Sequence, residues 1–124
     1  MDDGIVHEKR FIVLHVGQQT VACVINSNVS RFIADRAALL KCQVQMGMES
    51  HSFMDHDSFV DCSRARVYAT ADVVLDLVRE PGWMLGHITA DLRDEILGAL
   101  KHAPTLPAAD VGRYCLSLEA ADLE

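Results

Sequence analysis

Nothing in this chain of 124 residues approaches the run of about 20 apolar residues needed to span a bilayer. The opening MDDGIVHEKR is acidic and has no hydrophobic centre, so a secretory signal is not expected, and the expected compartment is the cytoplasm. Basic residues are scarce: 11 Lys and Arg stand against 18 Asp and Glu, a formal charge of −7. Nucleic-acid affinity comes mostly from cations neutralising phosphates, so a broad nucleic-acid surface is disfavoured and only a local basic pocket fits. The four cysteines (Cys23, Cys42, Cys62 and Cys115) include no CxxC pair and each lies beside apolar residues. They read as buried free thiols rather than a disulfide framework. Glycine and proline are few and half the chain is apolar, which predicts a packed domain, not disorder. No Gly-rich phosphate loop, GxSxG, HExxH or EF-hand loop occurs.

What is present is enough for one domain over 1–124, with loose acidic ends at 1–7 and 119–124. Arg10–Val16 and Thr20–Ile25 are β-rich runs joined through Gly17, the pattern of an antiparallel hairpin. Both are apolar nearly throughout, so both are expected to be covered on two faces. Asn26-Ser27-Asn28 breaks the second run, since these side chains bond to their own backbone in turns. Ser30 is a candidate cap for a short helical turn. Alternation over Leu39–Met46 predicts a third strand. Ser58–Tyr68 predicts a fourth, bulged near Ser63-Arg64. Val73, Val74, Leu77 and Val78 lie at helical spacing, so a helix or turn is as well supported there as a strand. Glu80-Pro81-Gly82 ends that segment.

The strongest helix signal follows Thr89, a candidate N-cap. Asp91 in the first turn and Lys101 and His102 in the last suit the helix dipole, and Leu92, Ile96, Ala99, Leu100 and Ala103 form one stripe. Val111–Leu118 is expected to add a final strand. Short strands ending in a helix predict an α+β domain with a small, strongly curved sheet or barrel.

Chemistry concentrates in His51–Tyr68. His51, His56, Asp55, Asp57, Asp61 and Cys62 crowd its first half, but the two histidines are five residues apart. That spacing suits neither one helix face nor one strand face, so neither metal nor other cofactor is expected. His56 between two aspartates is a candidate general base; Asp57 and Ser58 alternatively shape a turn. Arg10 enters the first strand and Asn26-Ser27 leave the second. In a hairpin these lie at one end, where a guanidinium and a polar group can bind and polarise a phosphate.

The order of these parts carries a resemblance. Lys9-Arg10-Phe11-Ile12-Val13 opens a strand, and Val24-Ile25-Asn26-Ser27 ends the next. His56-Asp57-Ser58-Phe59-Val60 opens a central strand, and Gly86-His87-Ile88-Thr89 leads into an amphipathic helix. From about Lys9 to Leu100 the chain resembles the PemK/MazF-like toxins of bacterial toxin–antitoxin modules, in particular divergent PemK-like proteins with an HxFxxHDSxV centre. The resemblance implies an SH3-like β-barrel with a C-terminal helix, assembled as a homodimer and paired with an antitoxin protein. It implies a metal-independent endoribonuclease on single-stranded RNA, with the RNA's own 2′-hydroxyl as nucleophile. Arg10 matches the family's strand-entry arginine, and Asn26 or Ser27 falls where the family carries Thr or Ser. With the bottom-up reading, Arg10, Ser27 and His56 are the expected catalytic residues, and Asn26, Asp57 and Ser58 the substrate-binding ones. The alternative expectation is a non-catalytic barrel that binds a protein partner through its acidic surface and C-terminal tail.

Overall fold

The computed structural model describes residues 10–120; the ends at 1–7 and 121–124, expected to be loose, lie outside the described residues. The hairpin forms as its sequence predicts. β1 (Arg10–Val16) and β2 (Gln19–Asn26) pair antiparallel, with Arg10 opposite Ile25 and Val13 opposite Ala22. The register shifts between Val13 and His15, the mark of a bulge that re-aims side chains. Leu14 is buried and the His15 ring bonds the Ser117 hydroxyl, so both serve the same side of the sheet.

Of the two hairpin strands, only β2 is nearly covered on both faces. β1 is an edge strand whose Phe11, Val13 and Val16 stay exposed, which corrects the expectation of two central strands. An apolar run says that a strand has something to bury, but not whether both faces find a cover.

Ser30 caps α1 (Arg31–Ala34) by accepting the Ile33 N–H. α2 (Ala37–Leu40) takes Leu39 and Leu40 of the expected third strand and Lys41-Cys42 form a turn, leaving β3 as Gln43–Met46. The fourth strand is in fact two, β4 (Ser58–Asp61) and β5 (Arg66–Ala69). The Asp61 carboxylate explains the break. Its Oδ1 accepts the Ser63 N–H at 3.0 Å and the Gln43 amide at 2.8 Å, and the Ser63 hydroxyl donates to the same atom. Such a side-chain-to-backbone bond two residues on folds the chain out of the strand.

β4 and β5 then share one edge of β2. β4 pairs at Ile25 and Asn26, and β5 pairs at Gln19–Ala22. β3 adds to β4, giving the order β1-β2-β4-β3 with β5 beside β2. The class is α+β, with a five-stranded antiparallel sheet. The sheet is open among the described residues, so the expected closure into an SH3-like barrel is not what the strand pairing gives.

α3 (Thr70–Arg79) leaves β5 directly, and a 3-10 turn at Pro81–Trp83 ends it. α4 (Ala90–Lys101) begins at Thr89, whose hydroxyl accepts the Leu92 N–H, and buries Leu92, Ile96, Ala99 and Leu100 of the expected stripe, while Ala103 lies past the helix end and is half-buried. The strand expected over Val111–Leu118 is instead part of α5 (Ala108–Ala120), which also takes up Glu119 and Ala120. Val111, Tyr114, Cys115 and Leu118 recur at i, i+3, i+4 and i+7, and that face packs inward, as an amphipathic helix requires. α4 and α5 form a second layer over Ile12, Leu14, Cys23, Ile25, Val44, Met46 and Val60.

Candidate functional site

The hairpin register decides which of the sequence-derived site residues meet. Arg10 lies opposite Ile25, and residues directly opposite in a ladder share a face. Arg10 therefore takes the side of Ile12 and Ile25. Asn26 is one residue on, opposite Phe59 of β4, and so takes the other side with Phe59 and Phe11. The expected shared mouth for Arg10 and Asn26 does not form. The groups occupy one end of the sheet but opposite faces, because a strand alternates at every residue. Ser27 lies just past the strand end and is exposed.

Arg10 finds company from the β3–β4 connection instead. Its guanidinium pairs with the Asp55 carboxylate at 3.3 Å and lies 3.9 Å from the Met54 sulfur. The arginine side chain is 25% exposed and the aspartate 77%, so the pair is worth less than about 1 kcal/mol and yields readily to an incoming anion. Asp55 is the neighbour of His56. The His56 Nδ1 is 3.0 Å from the Asp57 carbonyl oxygen and 3.0 Å from the Ser58 hydroxyl. A carbonyl only accepts, so that contact places the proton on Nδ1 and leaves Nε2 as the free acceptor. Asp57 and Ser58 hold the frame. The Asp57 carboxylate accepts the Met48 N–H at 2.9 Å, tying the entry of β4 to the exit of β3. Ser58 is only 1% exposed.

The two histidines of the motif part ways. His51 is buried, and Thr89 N–H donates to its Nε2 at 3.2 Å. The ring proton is therefore on Nδ1, which donates to the Gly47 carbonyl at 3.0 Å. His51 thus clamps the connection after β3 to the cap of α4, while the exposed His56 has Nε2 to spare. Among the described residues, no group of three or more His, Cys, Asp and Glu side chains is placed to hold a metal.

The thiols are equally committed. Cys23, Cys42, Cys62 and Cys115 are all free and buried. A hydrogen bond with Cys23, and then burial, pushes the Cys62 thiol far up from its usual range; burial and the Asp61 charge raise that of Cys42. Neutral buried thiols are poor nucleophiles.

A second polar feature escaped the sequence reading except as a general allowance for a basic pocket. Where the chain crosses from β4 to β5, a shallow groove of about 540 Å3 is lined by Arg64, Arg66, Tyr68, Thr105 and neighbours. Thr105 donates to the Ser63 carbonyl, fixing one wall. Neither Arg64 nor Arg66 is in an ion pair among the described residues. The available signal was Arg66 and Tyr68, which strand periodicity puts on one side, with Arg64 in the connection just before them.

Comparison with protein-family models, with curated proteins and with solved structures gives no match. No helix among the described residues is long and apolar enough to cross a membrane.

Proposed function

We propose that this domain is a metal-independent endoribonuclease acting on single-stranded RNA, the toxin of a toxin–antitoxin type module. The observation that supports it is the Arg10–Asp55 ion pair, which draws the guanidinium to the loop carrying His56. In this reading His56 Nε2 accepts the proton of a 2′-hydroxyl, whose oxygen attacks the adjacent phosphorus as the bond to the 5′-oxygen breaks. Arg10 exchanges Asp55 for the phosphate oxygens and stabilises their charge. The leaving 5′-oxygen takes a proton from water, which the proton held by His56 replaces, and a 2′,3′-cyclic phosphate remains. Ser27 stands at the same sheet end as a further polar contact. The open sheet is then an SH3-like barrel that stops short of closing.

The test is cleavage of an unstructured RNA in excess chelator. Arg10→Ala and His56→Ala are each expected to lower the rate by roughly 100-fold or more; unaltered cleavage in either variant removes that residue from the mechanism. Asp55→Asn should leave cleavage intact or raise it, because it releases the guanidinium.

A second reading, a non-catalytic domain that binds a protein, is favoured by one observation: the apolar side chains of α3 and the turn after it lie outside the core. It predicts no cleavage by the wild-type chain.

A further inference from the structure

We infer that α3 is the interface of a two-fold homodimer in which two copies of the helix pack antiparallel. α3 is amphipathic, yet none of its ten residues is buried. An isolated helix of that length is marginal in water, because nucleation costs more than a few turns return. Its inner side is accounted for. The Thr70 hydroxyl bonds Thr20 and the Gly17 carbonyl, and Val73 and Leu77, on the same side, are half-buried.

The outer side is not accounted for. Ala71, Val74, Leu75 and Val78 repeat at i, i+3, i+4 and i+7, the seam of a helix pair, and all four are exposed. Just past the helix end, Trp83 and Met84 are also exposed, at 63% and 68%. Together with Leu85 these side chains present on the order of 600 Å2, at the upper limit of what a monomer leaves open and near the roughly 800 Å2 that each partner of a stable complex buries.

The charges beside the seam choose a second copy as the occupant. At 100° per residue, Asp72 and Arg79 both border the Leu75 edge of the stripe. When two helices run antiparallel about an axis between Val74 and Leu75, like edges face one another. Val74 then meets the partner's Leu75, and Ala71 meets the partner's Val78. Arg79 comes within about 3 Å along the axis of the partner's Asp72, and the second pair follows by symmetry. Neither residue has an ion-pair partner within its own chain among the described residues. The edge is self-complementary.

Sedimentation equilibrium of the full chain should give twice 13.7 kDa. Val78→Asp should give a monomer with unchanged far-ultraviolet circular dichroism, since Val78 lies outside the core. Arg79→Asp should weaken the dimer roughly tenfold by setting like charges together, and adding Asp72→Arg should restore it. Rescue in the doubly exchanged chain is peculiar to self-pairing, because a foreign partner would not exchange its charges in step. A wild-type monomer at millimolar concentration, a dimer indifferent to Val78→Asp, or no rescue on charge exchange overturns the assignment. The readout is mass, so it is decided independently of whether the chain cleaves RNA.

Discussion

The two sides of this molecule treat apolar residues in opposite ways. Under α4 and α5, polar groups are enclosed too and, Gln43 Oε1 apart, find partners: His51 uses both ring nitrogens, and one Asp61 oxygen serves three donors. From Arg66 through His87 no residue is buried, although the segment is rich in Val, Leu, Trp and Met. The difference shows that burial here follows the layer the sheet can build and not hydrophobicity alone. α4 and α5 cover one face of the sheet, and the α3 arm is left with a stripe that only another surface can cover.

The sharpest test of the contrast is truncation on either side. Leu100→Ala in the enclosed layer should cost about 2–5 kcal/mol of unfolding free energy in urea titration, because transfer and cavity effects add at a fully buried site. A loss below 1 kcal/mol would mean that the layer is not the folded core. His51→Ala should cost about 1–3 kcal/mol by leaving the Gly47 carbonyl and Thr89 N–H without their partner. A variant as stable as wild type would show that water or a neighbour takes over both bonds.

Alkali probes the same layer. The Cys62 thiol is pushed above its ordinary value of 9.0 by its bond to Cys23 and by burial. The unfolded chain therefore loses that proton first. The stabilisation is complete below pH 9 and erodes above it, by up to about 1.4 kcal/mol per pH unit for one such group. Denaturant titrations between pH 8 and pH 11 should show this slope, and Cys62→Ala should flatten it; an identical slope in the variant would assign the effect elsewhere. The smallest change belongs to the arm. Val78→Ala, measured below the dimer's dissociation range, should move stability by no more than about 0.5 kcal/mol, and a core-sized loss would erase the distinction between the two sides.

Much of the enclosed side was legible because its signals are local. Ser30 and Thr89 announce their helices by cap chemistry, and the α4 stripe repeats at the helical period. The misreadings arose where two periods compete. Val111, Tyr114 and Cys115 are good strand formers, yet their spacing with Leu118 is helical, and Val111 N–H already bonds the Pro107 carbonyl. Ser58–Tyr68 alternates like one strand, but whether Asp61 folds the chain aside depends on Gln43 and Ser63 arriving around it. For the candidate site, the motif marked His56, Asp57 and Ser58, which are neighbours in the chain. It gave no hint that Arg10 would pair with Asp55, because that contact depends on how the β3–β4 connection folds back. The separation of Arg10 from Asn26 was a matter of register, which one extra residue in a strand reverses.

The divided edge of β2 bears on how the chain reaches this state. The hairpin with β1 closes over a few residues and can form early. β4 must return across the long connection after Asn26 to reach Ile25 and Asn26 of β2, so the rate should be limited by that closure and not by either helix of the second layer. Shortening the connection between α1 and β3 would then quicken refolding, while loosening α5 would mainly hasten unfolding.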